Sequence, residues 1–159
     1  MAFKAAFAGD RFGLNGVGDL QHTDDYALWL QRVRDHAQGK NLPEGFVPAL
    51  GFLGVDETGT VVGMIQLRLS LNEHLMHFGG HIGYCVHPAY RRRGYAKQML
   101  LKAVAIAREK GIDRVLVTCN QENEASRRTI LSCGGRLEDA RQEPDGRLIE
   151  RYWINAKEL

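Results

Sequence analysis

The sequence has no long hydrophobic run and few cysteines, and both absences bear on where the protein works. No apolar stretch approaches the roughly 18 residues of a membrane-spanning helix. Lys4 and Asp10 interrupt the N-terminal stretch, which makes it a poor signal peptide. The 3 cysteines form an odd set at wide spacing, as is typical of reduced thiols. We therefore expect a cytoplasmic protein that does not associate with membranes.

An excess of charge of either sign is also absent. The net charge is +2 and 25% of the 159 residues are charged, which is ordinary for a globular domain. This excludes a general polyanion binder, and because no aromatic platform or basic stripe is visible we expect no nucleic-acid partner. No repeat, low-complexity segment or shift in composition marks a boundary, which predicts a single domain over residues 1–159.

The hydrophobic pattern predicts strands and helices in mixed order. Caps, turn residues and periodicity locate each element. The predicted elements are a helix over 24–37 capped by Thr23 and Asp24, a hairpin of strands 49–55 and 61–69, a strand over 81–87, a helix from 96 to before 111, a strand over 114–118, a helix over 123–133, and two final strands around a turn at 144–147. This order predicts an α+β fold with a mixed, largely antiparallel sheet flanked by helices.

The stretch RRRGYA, residues 91–96, puts three arginines at the start of a predicted helix. The N-terminus of a helix carries partial positive charge, so arginines there add repulsion unless an anion offsets it. Gly94 permits unusual torsions and a close approach, so that neighbouring N–H groups can form a concave nest for phosphate. The guanidinium groups can add contacts at its rim. For an isolated RRRG, the alternative is a solvated basic turn.

Together with its surroundings, this stretch resembles the GNAT superfamily of acetyl-CoA-dependent N-acetyltransferases. The family signature, Gln/Arg-x-x-Gly-x-Gly/Ala, lies between the fourth strand and the third helix, and Arg91, Gly94 and Ala96 fill it here. Residues 114–135 resemble the family's fifth strand and asparagine-led helix, and the resemblance covers roughly residues 45–155. The segments similar to one poorly characterised bacterial subgroup are LPEGFVP, LRLSLNEHL and GGHIGY.

The resemblance implies direct transfer of an acetyl group from acetyl-CoA to a primary amine, without a covalent acyl-enzyme. Acetyl-CoA would lie in a gap between the fourth and fifth strands, where backbone groups of Cys85 and Val86 would pair with pantetheine amides. A strand N–H near Val86 would polarise the thioester carbonyl, so Val86 is a catalytic candidate. The Cys85 thiol is expected to be a small buried hydrophobe. The implied cofactor-binding residues are Cys85, Val86, Arg91, Arg92, Arg93, Gly94, Tyr95, Ala96, Asn123 and Ser126.

One departure from the family concerns the general acid. Many GNAT members carry a tyrosine seven residues after the asparagine that opens the fourth helix, and Ile130 stands there in this sequence. Ser126 or Tyr84 could supply the proton instead, or Asn123 and Ser126 could only contact the cofactor or cap the helix. A non-catalytic acyl-CoA-binding module is therefore the alternative function.

Four clustered histidines raise the question of a metal site. His74, His77, His81 and His87 cross from a loop into a strand, and the last two are separated by roughly 20 Å at extended rise. A zinc site needs closer, fixed spacing, so we expect no metal.

His81 is instead the candidate general base. Several GNAT members place a base in this part of the fourth strand, and an unperturbed histidine pKa of about 6.5 suits proton acceptance near neutral pH. Gly83, on the same strand face, would leave room for an acceptor or a bridging water. The alternative is a histidine that only hydrogen-bonds a loop carbonyl.

The acceptor itself is not identifiable from the sequence. Residues 67–78 are expected to line its pocket, where Glu73 could bind a cationic amine or lie in solvent. A small-molecule or peptide amine is expected as the partner, and a homodimer is left open.

Overall fold

The computed structural model describes residues 2–159, which form a six-stranded sheet with helices on both faces. The α-helices are α1 (Ala2–Ala5), α2 (Tyr26–Ala37), α3 (Tyr95–Glu109) and α4 (Glu124–Ser132). The strands are β1 (Ala49–Val55), β2 (Val61–Arg68), β3 (Ile82–Val86), β4 (Arg114–Asn120), β5 (Arg136–Gln142) and β6 (Leu148–Asn155). Short 3₁₀ turns lie at Leu20–His22, Pro88–Tyr90 and Ala156–Glu158, and a π-helical turn lies at Leu75–Gly79. Among the described residues, no helix combines the length and hydropathy that a bilayer crossing requires.

The strand order is β1-β2-β3-β4-β6-β5, and every neighbouring pair is antiparallel except β3 and β4. A parallel pair needs a crossover, which α3 supplies between these two strands. Strand β2 reads VVGMIQLR, almost wholly apolar, because both faces of the sheet are covered there. The edge strand β5 reads RLEDARQ, and its exposed charges disfavour edge-to-edge association. The predicted α+β fold with a largely antiparallel sheet is confirmed.

Two hydrophobic clusters cover the two faces of the sheet. The larger packs α3 and α4 against it; its most buried members include Leu100, Val104, Val115, Val117 and Ile130. The smaller packs α2 and the N-terminal segment against the other face; its members are Phe7, Val17, Leu20, Trp29, Met64 and Cys85. Strand β3 contributes to both, because side chains alternate along a strand: Ile82 and Val86 join the larger cluster and Cys85 the smaller.

Two predicted boundaries, the start of α2 and the end of β4, shift by two residues, and the other predicted boundaries shift by at most one. Helix α2 is capped by Asp25, whose side chain accepts a hydrogen bond from the Leu28 N–H at 3.0 Å, and not by Thr23 and Asp24. Strand β4 runs on to Asn120, two residues beyond its predicted end.

Candidate functional site

Strands β3 and β4 pair at one position and then separate. The register joins Ile82 to Val117, and beside this pair the His81 N–H donates to the Leu116 carbonyl at 2.7 Å. Toward the carboxyl ends of the two strands, no further backbone hydrogen bond joins them within residues 2–159. The result is a V-shaped gap in the middle of the sheet, with its apex at Ile82.

The backbone groups of Tyr84 and Val86 face this gap. Consecutive residues of an antiparallel strand direct their N–H and C=O groups to opposite sides. The His81 carbonyl accepts from β2 at 2.7 Å and the His87 N–H donates to β2 at 2.8 Å, so the odd-numbered residues between them bond β2. Cys85 is one of these. The expectation that its backbone groups meet a ligand in the gap is therefore wrong, and Tyr84 has that position.

The Cys85 side chain also turns away from the gap. It lies in the smaller cluster with 6% of its surface exposed. Burial raises the pKa of the Cys85 thiol to about 11, so the thiol is protonated at neutral pH. This confirms the prediction that the Cys85 side chain is a small buried hydrophobe.

Residues 92–94 bend the backbone at the start of α3. Arg92 and Gly94 both have left-handed torsions, with φ of 63° and 82°. Right- and left-handed residues in alternation point successive N–H groups into one concavity. The first-turn N–H groups of α3 are also unpaired up to Gln98, which donates to the Gly94 carbonyl at 3.1 Å. Apart from the adjoining backbone, the nearest described atom to where a Gly94 Cβ would stand is the Gln98 Nε2 at 4.0 Å, so this side of the loop is open to a phosphate.

The three arginine side chains of this loop differ in their contacts. The Arg91 Nε donates to the Val86 carbonyl at 3.1 Å, and its Nη1 pairs with Asp10 at 2.7 Å. Arg93 donates to a carbonyl of the preceding turn at 3.3 Å. Arg92 is exposed and has no hydrogen bond or ion pair with any other described residue. Its guanidinium is therefore the one in this loop that can turn toward a bound anion without breaking a contact.

Across the gap, the start of α4 carries the polar groups predicted from the sequence. Asn123 caps the helix by accepting from the Ser126 N–H at 3.2 Å. The Ser126 hydroxyl lies 2.7 Å from the Tyr84 hydroxyl, and burial raises the pKa of that phenol. Ile130, at the position of the usual family tyrosine, is fully buried. The two hydroxyls named as proton sources are thus in contact with each other.

His81 lies at the apex but its ring is engaged with the backbone. Its Nδ1 accepts a hydrogen bond from the Leu116 N–H at 2.9 Å, so Nε2 carries the proton of the neutral ring. Burial, and then the positive charge of Arg68, lower the pKa of His81 to about 4. These contacts are those of a structural histidine, but the partner is the N–H of a strand residue and not the expected loop carbonyl. They argue against a general base, because the only lone pair of the ring is already used.

The space expected beside Gly83 is filled by the N-terminal segment. A Cβ on Gly83 would lie 3.1 Å from the Gly16 nitrogen, and one on Gly16 would lie 2.0 Å from the Gly83 oxygen. Gly16 also has a positive φ of 70°. The two backbones are in direct contact, so the prediction of an open space here for an acceptor or water is wrong.

Residues 10–16, which we call the strap, connect the two sides of the mouth of the gap. Asp10 pairs with Arg91, just after β3, and Arg11 pairs with Glu122, just after β4. The hydrogen bond from Arg91 is the main reason why the pKa of Asp10 is lowered. Arg11 and Glu122 are 111 residues apart in sequence, and no local pattern signals such a pairing.

The remaining histidines and Glu73 do not converge on one point. Within residues 2–159, no group of three or more His, Cys, Asp or Glu side chains could hold a metal ion. His77 contacts Arg141, and His87 accepts from the Ala89 N–H. Glu73 is exposed beside the π-helical turn.

Comparison with known proteins agrees with this geometry. A family model described as Acetyltransferase (GNAT) family matches residues 15–134. RimJ of Mycobacterium smegmatis, solved in complex with CoA-disulfide, is 21% identical with a TM-score of 0.71, over 99% of this chain and 78% of that chain. A point mutant of the spermidine N-acetyltransferase SpeG from Vibrio cholerae is 13% identical with a TM-score of 0.63, over 86% of this chain and 78% of that one.

A third solved structure is similar to a comparable degree. The ribosomal-protein-S5-alanine acetyltransferase of Vibrio fischeri is 17% identical with a TM-score of 0.62, over 82% of this chain and 69% of that chain. Identities this low show a shared fold. No curated protein matches the sequence.

Proposed function

This chain belongs to the GNAT family of acetyltransferases, and we propose that it transfers the acetyl group of acetyl-CoA to a primary amine by direct attack. The observation that carries this proposal is the gap itself. Strands β3 and β4 pair only at Ile82 and Val117 among the described residues, and beyond that pair the backbone N–H groups of Tyr84 and Val86 and the Tyr84 carbonyl face the gap without a partner strand. An unpaired strand edge of this kind suits an extended amide-containing ligand such as pantetheine.

The loop at the start of α3 is the proposed site of the pyrophosphate. The nest at Arg92 and Gly94 and the free N–H groups of Tyr95 and Ala96 converge there, with the Arg92 guanidinium at the rim. Arg91 has a positioning role in this proposal, because its contacts with Val86 and Asp10 tie the loop to β3 and the strap. Acetyl-CoA is the cosubstrate, and no metal takes part.

Within the gap, the two strand N–H groups have separate roles in the proposed reaction. A pantetheine arm that descends from the loop meets Val86 first and Tyr84 nearer the apex. We assign the Val86 N–H to a pantetheine amide and the Tyr84 N–H to the thioester carbonyl, whose oxygen gains negative charge during attack. The catalytic role expected for Val86 thereby moves to its neighbour along the same strand edge.

The proposed chemistry forms a C–N bond and breaks a C–S bond. The neutral amine attacks the thioester carbon, and CoA departs as a thiolate. After attack the nitrogen loses one proton and the thiolate takes one up, so the overall reaction balances. The Ser126 and Tyr84 hydroxyls lie on the α4 side, 2.7 Å apart; one donates its proton to the other, and the second proton can be donated to the thiolate. Because burial raises the pKa of Tyr84, its phenol stays protonated and remains a donor. We leave His81 out of the reaction.

A panel of amines separates this function from a non-catalytic acyl-CoA-binding module. Amino acids, polyamines, aminoglycosides and peptides are each supplied with acetyl-CoA, and release of the CoA thiol is measured. We expect amine-dependent release by the wild-type protein and its loss in Gly94→Val. Tight acetyl-CoA binding without release for any amine in the panel would contradict the transferase and support the binding module.

A further inference from the structure

Arg68 is a partly buried arginine without a carboxylate partner. Its Nη1 donates to the carbonyls of Gly79 and Gly80, each at 3.0 Å, and no Asp or Glu pairs with it in the part of the chain described, residues 2–159. Burial lowers the pKa of its guanidinium. Several other arginines near the site or the sheet have carboxylate partners: Arg91 with Asp10, Arg127 with Glu150, Arg141 with Asp139, and Arg151 with Glu138 and Asp139. A cation taken partly out of water without a counter-ion is costly, so its retention needs an explanation.

The position of Arg68 is over the apex of the gap. The side chain starts at the end of β2 and reaches the carbonyls of Gly79 and Gly80, which come just before β3. Gly80 in turn lies against β4, where its Cβ would stand 2.7 Å from the Leu116 oxygen. The Arg68 Nη2 lies 3.7 Å from the Cβ position of Gly83, one residue before Tyr84. The guanidinium therefore covers the place where the strands separate, on the sheet face opposite α3 and α4.

One edge of this guanidinium is available to a ligand. The two hydrogens of Nη1 are directed to the two loop carbonyls, which fixes the plane of the group. Nε and Nη2 have no described partner, and neither is sealed from solvent. Their N–H bonds run parallel along one edge, and that spacing matches the two oxygens of a carboxylate.

We propose that Arg68 binds a carboxylate of the acceptor, so that the substrate class is an amine that also carries a carboxylate, such as an amino acid. This inference deepens the proposed transferase function and rests on it. The carboxylate supplies the missing counter-ion and fixes the acceptor with its amine toward the thioester at the apex. A polyamine offers only positive charge, which the guanidinium repels.

The test uses matched acceptors that differ in the anionic group alone. Amino acids and their carboxamides form the pairs, and phosphoethanolamine with ethanolamine forms a phosphate pair. CoA release is measured with wild-type protein, Arg68→Gln, Arg68→Lys and, as a control, the remote surface variant Arg136→Gln. We expect kcat/KM to be at least about tenfold higher for the carboxylate member, and this preference to vanish in Arg68→Gln.

The variants separate recognition from folding. Arg68→Lys keeps the charge but not the parallel N–H edge, so it should retain stability and lose most of the preference. Arg136→Gln should behave as wild type. Equal rates for both members of the wild-type pairs would overturn the assignment, as would a larger gain with phosphoethanolamine than with the amino acids.

Binding measured apart from turnover distinguishes failure of this inference from failure of the transferase. Calorimetry with saturating CoA follows the same amino acids and carboxamides against wild type and Arg68→Gln. If carboxylate binding depends on Arg68 but no CoA is released, the transferase function is contradicted and the anion site is supported. Binding that is equal in the two proteins would remove the anion site, whatever the CoA-release assay gives.

Discussion

The pH dependence of folding stability tests the environment of His81. The variant is His81→Asn, because the asparagine Oδ1 stands about where the histidine Nδ1 does and can accept from the Leu116 N–H without titrating. The pKa of His81 falls from 6.5 in the unfolded chain to about 4 in the folded protein, where burial and then Arg68 disfavour the imidazolium.

The sign and size of the effect follow from these two pKa values. Between them the unfolded chain binds a proton that the folded protein does not, so the unfolded state gains stability as the pH falls. The free energy of unfolding is therefore undiminished above pH 6.5 and decreases as the pH drops toward 4. Between pH 7 and pH 5 the loss is about 2 kcal/mol. Little of this is screened by solvent, because only 7% of the His81 surface is exposed.

The assay is urea denaturation of both proteins at pH 7 and pH 5, followed by tryptophan fluorescence. Wild type should lose about 2 kcal/mol more than His81→Asn over this interval, with similar denaturant slopes. Any packing cost of the asparagine cancels, since the comparison concerns the change with pH. Equal losses in the two proteins would refute the reasoning, and would reopen a role for His81 as a base with an ordinary pKa.

Six further variants test the proposed site and its surroundings. Gly94→Val should weaken acetyl-CoA binding at least about tenfold, whereas Gly94→Asn should bind nearly normally because asparagine tolerates a φ of 82°; calorimetry compares them, and equal affinities would contradict the torsional argument. Arg92→Ala should weaken binding by about threefold or more at low salt and have no effect at high salt, while Arg93→Ala changes little; an effect that persists at high salt would show that Arg92 is more than an exposed charge. Cys85→Ala should retain kcat within about an order of magnitude, and an acetylated Cys85 found by mass spectrometry would overturn that expectation. Ser126→Ala should lower kcat about tenfold or more without changing acetyl-CoA affinity, and an unchanged kcat would remove this hydroxyl from the reaction.

The sequence predicted those parts of the site whose residues are close together in the chain. The β-prone run ending at Pro88, the glycine at position 94 and the apolar stripe of α3 are local signals, so strand, loop and helix follow from pattern and propensity. The direction of each backbone N–H and C=O group in β3, toward β2 or toward the gap, was not predictable in this way. Whether Cys85 or Tyr84 faces the gap depends on which residue of β2 each one meets, and that register is set by the whole sheet.

The parts that were missed depend on contacts between distant residues. The ring of His81 is engaged by the N–H of Leu116, which comes 35 residues later. Gly16 fills the space at Gly83 only because the N-terminal segment folds back over the sheet. Neither contact leaves a periodic or compositional trace, so a histidine suited to catalysis and one held by the backbone look the same in the sequence.

The single residue pair between β3 and β4 makes the sheet two half-sheets with a seam. Strands β1 to β3 form one half and β4 to β6 the other, and Ile82 with Val117 is the only rung of the ladder between them in the described chain. Under the proposed function, a pantetheine arm along Tyr84 and Val86 becomes a removable strand that extends this ladder. The cosubstrate then serves as part of the scaffold: its departure reopens the seam, and slow amide exchange at Tyr84 and Val86 should appear and disappear with its occupancy.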